Sequence, residues 1–157
     1  MDIRPRTSTD VDVVRSFLED QDALRSARAG ELVDSLDYPA LLAEDDGRLL
    51  GVLTYIPGEE GWEVLTFHAS ERLRGVGSAL MAAVEKEARV NGSRRLFLTT
   101  TNDNLDALRF YQRRGFELVK VRRRAVDDSR TRLKQKIPYQ GHYGIPLRDE
   151  ILLELPL

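Results

Sequence analysis

Arg72, Arg74, Gly75 and Gly77 stand close together in the run Arg72-Leu73-Arg74-Gly75-Val76-Gly77-Ser78-Ala79-Leu80-Met81. Their types and spacing suit one task, holding a phosphate-bearing anion. Glycine carries no Cβ, so two of them at a strand-to-helix turn let the backbone come up against a ligand. The first N–H groups of the helix that follows have no partner within the helix, and they favour negative charge. Arg72 and Arg74 add positive charge beside them. The run is not a P-loop, since no Gly-Lys-Ser/Thr follows. It is also a poor dinucleotide fingerprint: Leu80 occupies the third glycine position, and Thr99, Thr100 and Thr101 stand where a ribose-binding acid is needed. Taken by themselves, these residues fit a tight turn flanked by surface arginines as well as they fit a pyrophosphate site.

The elements that must position the run are legible around it. Val64-Leu65-Thr66-Phe67 is apolar and β-branched, as a strand requires. Beyond the glycines, Val76, Leu80, Ala83, Val84 and Ala88 recur at helical spacing, with Glu85, Lys86 and Glu87 largely on another face, and Asn91-Gly92 supplies a helix stop. A second helical segment runs through Asn104-Leu105-Asp106-Ala107-Leu108-Arg109-Phe110-Tyr111-Gln112-Arg113-Arg114-Gly115-Phe116, after a strand over Leu96 to Thr100. Asn104, Ala107, Leu108 and Tyr111 share one face of it. Gly115 ends the helix and Phe116 begins a new apolar run.

Together the two segments resemble the GCN5-related N-acetyltransferase family. Its motif A is Gln/Arg-x-x-Gly-x-Gly/Ala, and its following helix carries Asn-x-x-Ala-x-x-x-Tyr-x-x-x-Gly-Phe, met here at every fixed position. The resemblance runs from about Glu63 to Phe116. It implies a single acetyltransferase-like domain over residues 1–157, of mixed α/β class, with a mostly antiparallel central sheet of about seven strands and helices on both faces. It implies acetyl-CoA as cosubstrate, no metal, and transfer of the acetyl group to a primary amine by direct attack in a ternary complex. The cofactor-binding set it implies is Phe67, His68, Arg72, Leu73, Arg74, Gly75, Val76, Gly77, Ser78, Asn104, Ala107 and Tyr111.

Acyl transfer from a thioester to an amine sets three demands. An amine with an unperturbed pKa of about 10 must lose a proton. The carbonyl oxygen needs hydrogen-bond donors as charge develops on it, and the departing thiolate should receive a proton. By resemblance, backbone groups around Phe67 and His68 hold the pantetheine and help to polarise the carbonyl, and the sulfur lies near Tyr111. Tyr111 then serves as the acid, the alternative being an ordinary core tyrosine. Asn104 is either a ligand for cofactor amides or a helix N-cap. The family often takes its base from a Glu or His on the strand before motif A. Glu63 lies on that strand in alternation with Leu65 and Phe67, so its side chain is expected on their face. His68, with a suitable pKa, ranks second, because the family often carries a histidine there without a catalytic role.

Composition frames these expectations. A chain of 157 residues suits one domain with one core. No apolar stretch is long enough to span a bilayer, and the N-terminus has no signal-peptide core. The cysteine count is 0, which excludes disulfides, thiolate metal sites and cysteine-based catalysis and fits a reducing cytoplasm. Charge is uneven: residues 1–70 carry 6 arginines against 15 carboxylates, while residues 71–157 carry 18 basic against 11 acidic residues. The basic half suits an anionic cofactor. The acidic half either attracts a cationic amine or is an ordinary solvated surface. A pI near 5.8 disfavours nucleic acid. A small-molecule or peptide amine is therefore the expected partner, with no membrane, and a homodimer is left open.

In chain order, Asp2-Ile3-Arg4 reads as a first strand. Thr7 to Asp10 offer N-caps for a helix through Val13, Val14, Phe17 and Leu18, and a second helix is predicted over Asp22 to Ser35, weakened at Gly30. Asp45-Asp46-Gly47 between apolar runs predicts a hairpin, and Trp62 to His68 the strand entering the glycine turn. After a strand over Glu117 to Arg124, an irregular acceptor-side loop is predicted over about 126–148, ahead of a last strand through Ile151, Leu153 and Leu155. Tyr139, His142 and Tyr143 in that loop either wall an acceptor pocket or pack on the sheet. Two rivals belong to other classes: a catalytically silent acyl-CoA sensor, and a protein-interaction domain using Asp127 to Pro146.

Overall fold

A computed structural model of the chain describes residues 1–70 and 75–157. Arg72, Leu73 and Arg74 of the expected cofactor set lie outside the described residues. Seven strands hydrogen-bond in the order β1-β4-β5-β6-β7-β9-β8, and β2 and β3 form a separate two-stranded sheet. The strands are β1 (Asp2–Pro5), β2 (Arg25–Arg28), β3 (Glu31–Asp34), β4 (Ala40–Asp45), β5 (Arg48–Ile56), β6 (Trp62–Ala69), β7 (Arg95–Thr101), β8 (Glu117–Arg122) and β9 (Glu150–Pro156). The α-helices are α1 (Val11–Asp20), α2 (Val76–Val90), α3 (Leu105–Arg113) and α4 (Ala125–Arg132). Antiparallel pairing joins β1 to β4, β4 to β5, β5 to β6 and β8 to β9. The fold is thus the mixed α/β class expected. Among the described residues no helix is long and apolar enough to cross a membrane.

The chain divides into two compact units, the first built mainly from residues 1–26 and 34–96 and the second from 27–33 and 97–156. In the first, Asp46 and Gly47 both take positive φ (49° and 73°), the backbone that a two-residue hairpin turn between β4 and β5 needs. Helix α1 buries Val14 and Leu18 against Ala40 and Leu42 of β4 and Val52 of β5. Burying each such side chain contributes about 1.5–3 kcal/mol. Helix α2 buries Val76, Leu80, Met81, Val84 and Ala88, and Gly92 at φ 79° follows its C-cap, Asn91. Gly51 shows which side α2 takes. A Cβ there would stand 2.8 Å from Val76 Cγ1, 3.0 Å from Leu80 Cδ1 and 3.1 Å from the His68 carbonyl oxygen. Side chains alternate along a strand, so α2 lies on the Gly51 face of β5 and α1 on the Val52 face.

Two predicted elements are corrected. The helix expected over Asp22 to Ser35 is instead the β2–β3 hairpin. Ala29 and Gly30 both take positive φ (51° and 81°), which makes a turn where a helix would need the opposite sign. The stretch expected to be irregular from residue 126 begins with α4. Asp127 and Asp128 in its first turn and Arg130 and Arg132 in its last complement the helix dipole, and they pair as Asp127–Arg130 (2.8 Å) and Asp128–Arg132 (2.6 Å).

Candidate active site

In the first unit the chemistry-bearing residues sit on β6 and at the start of α2. Strand β6 pairs with β5 as Val52↔His68, Leu53↔Phe67, Thr54↔Thr66, Tyr55↔Val64 and Ile56↔Glu63, so Leu65 is an extra residue with no partner. This β-bulge changes the parity of the strand. Residues directly opposite share a face, so Glu63 falls with Thr54, Thr66, His68 and Val52, on the α1 side. Phe67 falls with Leu53 and Gly51, on the α2 side. The expectation that Glu63 shares a face with Leu65 and Phe67 is corrected by that one extra residue.

The face thus assembled is polar and enclosed. Glu63, Thr54 and Thr66 are buried, and the Thr54 and Thr66 hydroxyls have no hydrogen-bond partner among the described residues. An unsatisfied buried hydroxyl costs about 1–3 kcal/mol. Burial lowers the His68 pKa below the ordinary histidine value, leaving the ring neutral at pH 7. On the opposite face Tyr55 and Trp62 stack at 5.0 Å between ring centroids.

At the head of α2, Gly75 takes φ 74°, the left-handed backbone that favours glycine, and stands as N-cap. The Ala79 N–H donates to the Gly75 carbonyl at 3.0 Å, closing the first turn. The N–H groups of Val76, Gly77 and Ser78 are therefore the first-turn donors, and no acidic residue competes for them within that turn.

In the second unit Asn104 is the N-cap of α3, its side-chain oxygen accepting from the Ala107 N–H at 3.3 Å. That interaction realises the capping alternative for Asn104. Tyr111, on the same helix, is buried between Phe110 and Phe116, with ring centroids 5.6 and 5.4 Å away. Burial pushes its hydroxyl well above the ordinary tyrosine range, so it keeps its proton across physiological pH.

The residues that order the long connection before β9 were not singled out by sequence. Asp103 is buried. It accepts from the Thr101 hydroxyl at 2.5 Å and the His142 N–H at 2.9 Å, and a Cβ at Gly141 would collide with its carboxylate. The Asn102 side-chain oxygen accepts from the N–H groups of Arg148 and Asp149, each at 3.0 Å. Arg130, also buried, donates to the carbonyls of Ile137, Pro138 and Leu147 at 2.9, 2.8 and 2.7 Å while its guanidinium lies 4.2 Å from the Tyr139 ring centroid. The Tyr143 hydroxyl donates to Asp106 at 2.6 Å. The Asn102-Asp103 pair directly after a strand was the available signal, since both residue types bond nearby backbone.

Comparison with known proteins identifies the family and the fold. Residues 10–116 match the acetyltransferase (GNAT) family. Two relatives from Bacillus subtilis (strain 168), the uncharacterized proteins YxbD and YdhI, are 38% identical over 120 residues and 39% over 119 residues. Each match covers 76% of this chain, and 74% and 73% of the respective relative. The crystal structure of a GNAT family acetyltransferase from Elizabethkingia anophelis with acetyl-CoA bound superposes at a TM-score of 0.73 and 20% identity, over 99% of this chain and 97% of that one.

Proposed function

The chain belongs to the acetyltransferase (GNAT) family, and from that premise we propose that it transfers the acetyl group of acetyl-CoA to a primary amine by direct attack. The observation that carries the reading is the family match over residues 10–116, which spans β6, α2 and α3. The head of α2 suits an anionic cosubstrate: it offers three consecutive backbone donors and a glycine N-cap, with no carboxylate within its first turn. The thioester supplies an activated acyl carbon and a thiolate leaving group.

In this proposal the N–H groups of Val76, Gly77 and Ser78 take the pyrophosphate, and backbone groups at Phe67 and His68 orient the pantetheine. Glu63 removes the amine proton. Its neighbours on that face, the Thr54 and Thr66 hydroxyls, give an incoming amine polar contacts. His68, whose ring burial keeps neutral, is the alternative base. Tyr111, kept protonated by burial, gives its proton to the thiolate. Asn104, while capping α3, and Ala107 line the helix face that carries Tyr111. The partner is a small-molecule or peptide amine and the compartment the cytoplasm.

The test is thiol release from acetyl-CoA by the purified chain across a panel of amines, beside calorimetric binding of acetyl-CoA. Release that requires an amine supports the reading. A chain that neither binds acetyl-CoA nor releases thiol overturns it, and one that binds without release with every amine is the silent sensor instead.

A further inference from the structure

We propose that Asp103 is a positioning residue for the amine: with Arg130 it holds residues 137–147 as a preformed wall that presents Tyr139 and Tyr143 to the acceptor. The inference rests on the acetyl-transfer reading and concerns how the amine, rather than acetyl-CoA, is held.

The wall is a closed loop. The Leu147 N–H donates to the Tyr139 carbonyl and the Gly141 N–H to the Ile145 carbonyl, each at 2.9 Å, with Gln140 bridged to Pro146 between them. A single 3₁₀ turn, His142–Gly144, forms the tip. Two buried charged side chains fasten this loop. Arg130, from α4, serves the base through the carbonyls of Ile137, Pro138 and Leu147. Asp103, between β7 and α3, takes the tip through the His142 N–H and is itself steadied by the Thr101 hydroxyl. The tip lies so close that a Cβ at Gly141 would collide with the Asp103 side chain. Gly141 has φ −99°, an extended backbone open to any residue, so glycine is required there for room and not for conformation.

What the loop leaves outside points to binding. A loop held by its own packing would bury its rings, yet Tyr139 and Tyr143 are 80% and 68% exposed. Tyr143 takes φ 59°, a left-handed backbone that a bulky residue keeps only where its surroundings impose it. Its hydroxyl is tied to Asp106 of α3 at 2.6 Å, and the Tyr139 ring is backed by the Arg130 guanidinium. Rings fixed in this way give contact area at little cost in entropy. Residues 137–147 contain no lysine, arginine or carboxylate. The wall therefore suits the uncharged body of an amine substrate and offers little to a polyanionic cofactor. Its anchors Asp103 and Asp106 directly precede Asn104 and Ala107 on the helix that carries Tyr111.

The test is steady-state kinetics with the amine that the full chain turns over fastest. Tyr139→Ala and Tyr143→Ala, both at exposed rings, should each raise the amine KM by roughly tenfold while the acetyl-CoA KM moves by no more than about threefold. Asp103→Ala should do the same, and Asp103→Asn, which keeps an acceptor for the His142 N–H, should do so less. Gly141→Ala should also raise the amine KM, and together with Asp103→Ala it should cost less than the two effects summed. An unchanged amine KM in the two folded tyrosine variants overturns the wall. A rise in the acetyl-CoA KM as large as that for the amine assigns the loop to the cofactor and overturns it too. An Asp103→Ala chain that melts lower but keeps the wild-type amine KM overturns the positioning role; if that variant does not fold, Asp103→Asn decides in its place. A wild-type chain that releases no thiol with any amine sinks the acetyl-transfer reading and this proposal together, whereas unaltered KM values in a chain that does turn over sink this proposal alone.

Discussion

The Arg4 guanidinium grips the Asp10 carboxylate with two hydrogen bonds of 2.8 Å, one from each terminal nitrogen, and through Nε and Nη2 it also grips Glu44. Asp10 also accepts from the Thr7 N–H at 2.7 Å, so one side chain fastens β1, the turn before α1 and β4. The Arg4 hydrogen bonds first, then Thr7, hold the Asp10 carboxyl well below the ordinary carboxylate range.

A pH dependence follows from that depressed value. The native state binds this proton less readily than the unfolded chain, whose Asp has a pKa of about 3.9. The stabilisation is therefore fully present above that value and is lost as pH falls below it. Thermal melts at pH 7, 5, 4 and 3 should show Asp10→Asn melting lower than wild type at pH 7, with the gap closing below pH 4. His68, whose lowered pKa acts from about pH 6.5 downward, is common to both chains and cancels in the difference. A gap that stays constant down to pH 3 would count against the Arg4–Asp10 linkage.

Gly51 permits the close approach of α2 to β5, and Gly51→Ala is expected to lose it. The new methyl would meet the stiff Val76 side chain and the His68 backbone, and overpacking of this kind typically costs about 1–3 kcal/mol. Because Val76 opens α2, acetyl-CoA affinity should fall with stability. Urea unfolding and calorimetry on the same preparation check both. Wild-type values in each would show that the helix yields without consequence.

If Glu63 is the base, Glu63→Gln should lower turnover by about 10²–10⁴-fold while cofactor affinity holds. The deficit should shrink at high pH, where free amine is already present. Since Glu63 and His68 share a face of β6, His68→Gln is the natural companion. A large loss there with full activity in Glu63→Gln would transfer the role.

Tyr111→Phe keeps the ring between Phe110 and Phe116 and removes only the hydroxyl. Turnover should drop toward the low end of ~10²–10⁴-fold, since a thiolate leaves tolerably without a proton. The coenzyme A dissociation constant should move by no more than a few-fold. A variant that turns over at the wild-type rate would remove Tyr111 from the reaction.

Much of this was readable from residue order. Asp45-Asp46-Gly47 announced its hairpin because only such residues accept two successive positive φ values at low cost, and the period of Val76, Leu80, Val84 and Ala88 announced α2. Ala29-Gly30 hid the same kind of turn, because alanine does not advertise a positive φ and the flanking residues were helix-compatible. The fastenings made by Asp103 and Arg130 could not be read, since they join residues 7 to 39 positions apart through backbone groups, which every sequence carries alike. The facing of Glu63 was misread for a related reason: Val64 and Leu65 are both apolar, and nothing in their identity says which is surplus to the ladder.

Leu65 acts as a phase shift along β6. Upstream of it, odd-numbered positions look toward α1; downstream, even-numbered ones do. Deleting this single leucine would exchange the sides of Glu63 and Trp62 while leaving every other side chain's identity intact, so an alignment that slides one residue here equates groups pointing in opposite directions. For relatives of this chain, inheritance of a carboxylate on this face is a matter of counting as well as of chemistry. A gap of one residue between Trp62 and Thr66 would move the carboxylate to the other side of the sheet more completely than substitution could.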